Sequence, residues 1–238
     1  MSPNYKSTII GSGLIANSFQ QTIFKKDVLV IAAGVSNSKE FRDSEYMREK
    51  ELVQSAILNH PKHTVVYFST TSLNVGSLTK YKRHKIDMEL IVSTKATSFH
   101  IFRLPQVVGL VKNTTLISFL IESILLNREL KIERFAKRNL IDVDDVARVA
   151  AIIVNTSNQP NSIQNIASVC NIDVIDIVNE LANILERSSS CQILDSGDDQ
   201  SVRIDSLRKW LTEDDLIFSN SYWLRVLQKY APYYLNKK

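Results

Sequence analysis

The sequence predicts an α/β fold of the doubly wound kind, with a parallel sheet covered on both faces, a reduced strand count and a small C-terminal lobe. Three observations predict it. Short apolar runs (Thr8-Ile9-Ile10, Val28-Leu29-Val30-Ile31, Val65-Val66-Tyr67-Phe68 and His100-Ile101-Phe102) alternate with longer amphipathic segments. Runs that are continuous rather than alternating belong to strands buried on both faces. A glycine pair, Gly11 and Gly13, stands between the first run and the first amphipathic segment, where such folds turn from strand to helix.

Taken in order, the first strand ends at Gly11 and a helix is expected from Leu14 to Phe24. The second strand is Val28 to Ile31, followed by a helix from Asp43 to Leu58. A third strand over Val65 to Phe68 leads to a helix from Thr79 to about Thr94, and His100 to Phe102 is the fourth strand. The second half continues with a helix from Thr115 to Asn127. Asp144 then caps a periodic helix with Val146, Val149, Ala150 and Ile153 on one face. Ser162 to Ile166 reads as a strand, Val174 to Glu186 as a helix, and Ser188 to Ser190 and Gly197 to Asp199 as loops. The division expected is a nucleotide-binding domain over 1–160 and a smaller, dependent lobe over 161–238. Trp210, Tyr222, Trp223, Tyr230, Tyr233 and Tyr234 make that lobe aromatic, as packing residues or as a lid.

Only about seventeen residues separate Gly11 from Val28, too few for the helix, strand, helix and strand that usually intervene in a dinucleotide fold. The second and third strands of that fold are therefore expected to be missing. With them goes the acidic residue that binds the adenosine ribose.

Composition narrows the class. A 44% hydrophobic and 23% charged chain of 238 residues can bury a core and is neither disordered nor fibrous. No apolar run is long enough for a bilayer, and the N-terminus lacks a signal-peptide stretch. Cys170 and Cys191 have no pairing or metal-ligand pattern, which points to free thiols in the cytoplasm. The net charge of +4 is scattered, against nucleic acid as a partner.

The chemistry-bearing residues follow the strands. Gly11-Ser12-Gly13-Leu14-Ile15-Ala16 lets the backbone turn and approach a pyrophosphate, while the small Ala16 lets helix and strand pack closely. Tyr81 and Lys85 lie one helical turn apart on one face. An ammonium there would favour the phenolate; lowering the tyrosine by about three units needs about 4 kcal/mol. Ser69-Thr70-Thr71-Ser72 brings hydroxyls to the carboxyl end of the third strand, where ligands bind in such folds.

These segments resemble a known family. Gly11 to Ala16, Ala32-Ala33-Gly34, Phe68-Ser69-Thr70, Tyr81-x-x-x-Lys85, Arg103-Leu104-Pro105-Gln106-Val107-Val108-Gly109 and Arg138-Asn139-Leu140-Ile141-Asp142-Val143-Asp144-Asp145-Val146 occur in the order of extended short-chain dehydrogenases/reductases. More specifically they look like the NAD-dependent nucleotide-sugar epimerase/dehydratase group, over roughly residues 7–170. The resemblance implies a Rossmann-like domain, NAD or NADP as cofactor and a nucleotide-sugar substrate. It also implies a homodimer formed by the Tyr81 helix and the helix before it, with Met47, Val53, Ile57, Met88 and Val92 either in that contact or in the core.

By the same resemblance, Tyr81 is the acid/base and Lys85 holds the nicotinamide ribose and lowers the tyrosine pKa. Thr70 matches the catalytic Ser/Thr, with Thr71 as fallback and as a substrate contact. Gly11, Ser12, Gly13, Leu14 and Ile15 form the pyrophosphate turn, and Ala32, Ala33 and Gly34 lie under the cofactor. Leu104, Pro105 and Val107 flank the nicotinamide, Gln106 reaches the substrate and Arg138 grips its diphosphate. Dehydratases of the group carry Asp-Glu where this chain has Thr71 and Ser72, which argues against dehydration. No Cys/His pair serves double epimerisation. What remains is 4-keto reduction or 4-epimerisation, with surface polysaccharide synthesis as the setting. The other outcome is a catalytically inactive dinucleotide-binding or regulatory protein on the same fold.

Overall fold

A computed structural model describes residues 5–110, 114–159 and 161–235. The chain clusters into two compact units, Met1–Leu104 with Asp144–Ile166, and Pro105–Val143 with Ala167–Lys238. Residues 105–143, grouped on sequence with the N-terminal domain, fall in the second unit because their strands pair with one another and with the C-terminal segment.

The first unit is built on five parallel strands: β1 (Ser7–Ile10), β2 (Val28–Ile31), β3 (Thr64–Thr70), β4 (Ser98–Leu104) and β8 (Ser162–Asn165). They lie in the order β1-β2-β3-β4-β8. β1 is therefore an edge strand paired directly to β2, Ser7 opposite Val28 and Ile10 opposite Ile31. This is what the short spacing predicts, since a chain with no room for two further strands must bring β2 beside β1.

Helices α2 (Asp43–Asn59) and α3 (Lys80–Lys95) cover one face. Val53, Ala56, Ile57, Met88 and Val92 close there on Leu29, Ile31, Val65, Tyr67, Phe99 and Ile101. Of the five residues expected in a dimer contact or in the core, Val53, Ile57, Met88 and Val92 are core, while Met47 is 55% exposed. The opposite face carries Phe68 and Phe102, and the β1–β2 connection lies on it, because Phe19 packs on Phe68 with ring centroids 5.4 Å apart. Helix α1 is only Leu14–Ser18, shorter than expected. The chain leaves the helix to bury Phe19 and Phe24, stacked at 6.3 Å, and that burial outweighs further helical bonds.

From β1 to β4 the chain steps in one direction across the sheet. Two connections that advance the same way on opposite faces have opposite hands, so the β1–β2 and β2–β3 connections cannot both obey the right-handed rule. The loss of two strands, with the first connection kept on its own face, accounts for the exception. It also keeps a change of face between β1 and β2, and ligands of open α/β sheets bind at such points, outside the carboxyl ends of the strands.

The second unit has a sheet ordered β5 (Gln106–Val108), β7 (Lys137–Asp142) and β9 (Asn171–Asp173), and a parallel pair, β6 (Leu130–Glu133) with β10 (Cys191–Leu194). Helices α4 (Leu116–Leu125), α6 (Val174–Leu185) and α7 (Tyr222–Tyr230) bury Leu120, Ile121, Leu181 and Leu227. Thr115 and Ser118 form a capping box at α4. Tyr230 donates to Asp142 Oδ1 at 2.7 Å and the Asp142 N–H donates to Tyr222 Oη at 3.0 Å, so these two aromatics are packing residues. In the first unit, Asp144 and Asp145 fall in the first turn of α5 (Val143–Thr156). Among the described residues, no helix is long and apolar enough to cross a membrane.

Candidate active site at the carboxyl ends of β1 to β3

The glycine turn is fixed by packing at one residue and left open at another. Gly11 has φ +130°, and a Cβ there would lie 2.4 Å from the Ala32 carbonyl oxygen. Only glycine fits where the β2 end crosses so close. Ala16 is fully buried and would lie 3.2 Å from that same Cβ, which explains the small residue at this position. Gly13 caps α1, and nothing lies within 4 Å of where its Cβ would be. Ser12 is exposed, and Leu14, Ile15, Ala32 and Ala33 are half-buried.

Thr70 ends β3, and its hydroxyl acts on the phenol of Tyr81 on α3, favouring the phenolate. Thr70 Oγ1 also accepts from the Ser72 N–H at 3.2 Å. Thr71 turns elsewhere, its hydroxyl donating to the Leu104 carbonyl at 3.4 Å. The side chain of Thr79 caps α3 by accepting from the Lys82 N–H, which sets the register that brings Tyr81 to Thr70. Ser69 Oγ is buried without a hydrogen-bond partner among the described residues.

Lys85 is buried and already paired. Its ammonium donates to Glu49 Oε1 at 2.9 Å and to Tyr67 Oη at 3.1 Å, with the side chain 4% exposed. It stands 6.0 Å from the centre of the Tyr81 ring. Glu49 also accepts from Tyr67 Oη at 2.6 Å, from the Val35 N–H at 2.7 Å and from His84 Nε2 at 2.9 Å. Burial alone would raise the Glu49 carboxyl, but His84, Lys85, Tyr67 and the Val35 N–H together hold it well below the carboxylate range. Gly34 lies against this pair.

The Tyr81 phenol is pushed upward, first by burial and then by the charge of Glu49, with the Thr70 hydroxyl working against both. Burial and Glu49 thus outweigh, in the protein alone, the lowering expected from the Tyr-x-x-x-Lys spacing.

The remaining candidates lie in the second unit. Gln106 and Val107 are on β5, opposite Leu140 and Ile141 of β7, and Pro105 precedes them. Arg138 on β7 donates from Nη1 to the carbonyls of Lys137 at 2.7 Å and Asp198 at 3.1 Å, and burial lowers its pKa.

Sequence reasoning missed Glu49 and Tyr67. A signal was present for the first. Tyr46, Glu49, Val53, Ala56 and Ile57 share the buried face of α2, so a carboxylate stands at a core position of the helical repeat.

A model of the NAD dependent epimerase/dehydratase family matches residues 22–167, more than half the chain and beginning beyond the glycine turn. No curated protein matches. Among solved structures the chain is similar to a UDP-N-acetylglucosamine 4-epimerase from Methanobrevibacter ruminantium M1 in complex with UDP-N-acetylmuramic acid. That pair is 16% identical with a TM-score of 0.72, over 97% of this chain and 84% of the other. A dTDP-4-dehydrorhamnose reductase from Clostridium acetobutylicum is 15% identical with a TM-score of 0.71, over 93% and 85%. A dTDP-glucose 4,6-dehydratase from Bacillus anthracis, in complex with NAD, is 14% identical with a TM-score of 0.68, over 89% and 73%. At these identities the likeness concerns the fold.

Proposed function

The chain belongs to the NAD-dependent epimerase/dehydratase family, and from that membership we propose that it is a cytoplasmic NAD(P)-dependent oxidoreductase acting on a nucleotide-linked sugar. The reaction is 4-keto reduction or 4-epimerisation, in the synthesis of surface polysaccharide, and the working form is a homodimer. The observation that carries the reading is the juxtaposition of the Thr70 hydroxyl and the Tyr81 phenol at the carboxyl end of β3, with the Lys85 ammonium 6.0 Å from the Tyr81 ring.

The residues present fit the cofactor at one end better than at the other. The turn is open at Gly13, where a pyrophosphate would meet bare backbone with Ser12, Leu14 and Ile15 around it and Gly11 making the bend. Ala32, Ala33 and Gly34 follow β2 at the change of face and would lie under the dinucleotide. Lys85 keeps one N–H beyond those given to Glu49 and Tyr67, which suits a ribose hydroxyl. On the adenosine side, no described strand flanks the outer edge of β1. By the family resemblance, the further nicotinamide contacts proposed are Leu104, Pro105 and Val107, and the substrate contacts Gln106, Thr71 and Arg138.

When bound, the nicotinamide accepts or donates hydride at the sugar carbon. Tyr81 gives or takes the proton of the neighbouring oxygen, and the Thr70 hydroxyl holds that oxygen beside the phenol. Thr71 and Ser72 offer no carboxylate for dehydration. The test is turnover of a panel of 4-keto and 4-hydroxy nucleotide sugars, followed by nicotinamide absorbance. Activity that vanishes in Tyr81→Phe supports the proposal, and full activity in that variant sinks it.

The buried Glu49–Lys85 pair favours a second reading, a binding or regulatory protein that keeps the fold without turnover. Calorimetry separates the two: no heat of binding with NADH or NADPH removes the enzyme.

A further inference from the structure

Glu49 lies outside every motif that pointed to the site, yet its carboxylate ties four groups together. Its two oxygens accept from the Val35 N–H after β2, Tyr67 of β3, and His84 and Lys85 of α3. An ionised carboxylate only accepts, so His84 Nε2 carries its proton. Tyr67 donates to Glu49 Oε1 and accepts from Lys85, which fixes the ammonium from two directions.

We propose that Glu49 is a positioning residue of the active site: it holds Lys85 as half of a neutral internal ion pair, aims the remaining N–H of the ammonium, and leaves Tyr81 as a proton donor. This rests on the reading of Tyr81 as the acid/base. An unpaired ammonium 6.0 Å from the Tyr81 ring would favour its phenolate, whereas a carboxylate 2.9 Å from that ammonium largely cancels its field. The groups facing Tyr81 are Thr70 from β3, Tyr46 and Glu49 from α2, and Lys85 from α3 itself. Those facing Glu49 are Tyr46, Tyr67, His84 and Lys85. Glu89, which also acts on Tyr67, is paired to Arg103 at 2.7 Å. Taking away the Glu49 charge therefore leaves the Lys85 cation uncompensated beside the phenol. A phenol that rests protonated suits the proton-giving half of the chemistry, in which a carbonyl oxygen becomes a hydroxyl.

The experiment is a spectroscopic titration of phenolate absorbance on the whole protein without cofactor, each variant compared with its Tyr81→Phe counterpart. In Glu49→Gln the Tyr81 ionisation is expected to fall by at least about one pH unit, a tenfold change in acid constant. An unchanged or higher titration in a variant with native circular dichroism overturns the proposal, because a purely structural glutamate would not move this signal. If Glu49→Gln does not fold, Glu49→Gln/Lys85→Met, which removes both charges, takes its place. Tyr81 titrating at or below its wild-type position then supports the cancellation, and a rise of about one unit or more overturns it. An unshifted titration in a chain that turns over sinks the role of Glu49 alone. A shifted titration in an inert chain sinks the enzymatic reading alone.

Discussion

Gly34 and Glu49 approach so closely that a Cβ on Gly34 would lie 2.5 Å from Glu49 Oε1, and 2.8 Å from Lys85 Nζ. Both contact atoms end flexible side chains, but neither is free to swing aside, since each is buried and hydrogen-bonded on its far side. The glycine after β2 thus makes room for the ion pair, in addition to any cofactor above it. Gly34→Ala is expected to cost about 1–3 kcal/mol, the range for overpacking a tight interior. Equilibrium urea unfolding measures it, and a loss well under that range would mean the pair can slide.

The two glycines of the first turn should separate packing from binding. Gly11→Ala meets the Ala32 carbonyl and a positive φ, so it should lose about 2 kcal/mol or more. Gly13→Ala meets nothing within 4 Å and should change stability by less than about 1 kcal/mol. In the same variant a fluorescence titration with NADH should show affinity several-fold weaker, because the methyl group stands where a pyrophosphate would approach. Equal affinity in Gly13→Ala would remove that turn from the proposed cofactor site.

How far the sequence speaks for itself differs between the units. β1 to β4, α2 and α3 are legible because their apolar residues follow one local period, and the missing strands are legible as a simple shortage of chain. The strands of the second unit are harder to read, because β5 has three residues and β6 (Leu130-Lys131-Ile132-Glu133) has two apolar residues rather than an unbroken apolar run, and both are defined by distant partners. Helix α1 is over-read because burial of Phe19 and Phe24 overrides helical propensity. At the site, Tyr81 and Lys85 are visible as a spacing, but the partner of Lys85 is 36 residues away. A single glutamate in the charged run Arg48-Glu49-Lys50-Glu51 looks like solvated surface until its register with Val53 and Ala56 is followed.

His100 gives the first unit a pH dependence. It is buried on β4 against Phe102, with Nδ1 2.8 Å from the Ser162 hydroxyl, and its pKa is pushed down from 6.5 to about 4, by burial first and Lys26 second. Between those values the unfolded chain takes up a proton that the folded ring refuses, so stability declines as pH falls through that window. The loss reaches about 3 kcal/mol at its lower end. Denaturant unfolding from about pH 7 to about pH 4 should show this slope, and His100→Gln should flatten it.

Asn139 does for the second unit what Glu49 does for the first. It is 1% exposed on β7, and its amide nitrogen donates to the carbonyls of Ser168 at 2.8 Å and Cys170 at 2.9 Å. Its oxygen accepts from the Ser168 N–H at 3.1 Å. The residue therefore completes backbone groups that have left the sheet just before β9. Asn139→Ala removes donor and acceptor together and strands those groups away from water, at a cost of about 3 kcal/mol. Asn139→Asp keeps an acceptor for Ser168 but aims a carboxylate at two carbonyls, so it should destabilise at least as much. Hydrogen exchange at the Ser168 amide discriminates. It should speed up strongly in Asn139→Ala, and protection equal to wild type would show that the amide finds another partner and that Asn139 does not hold this corner.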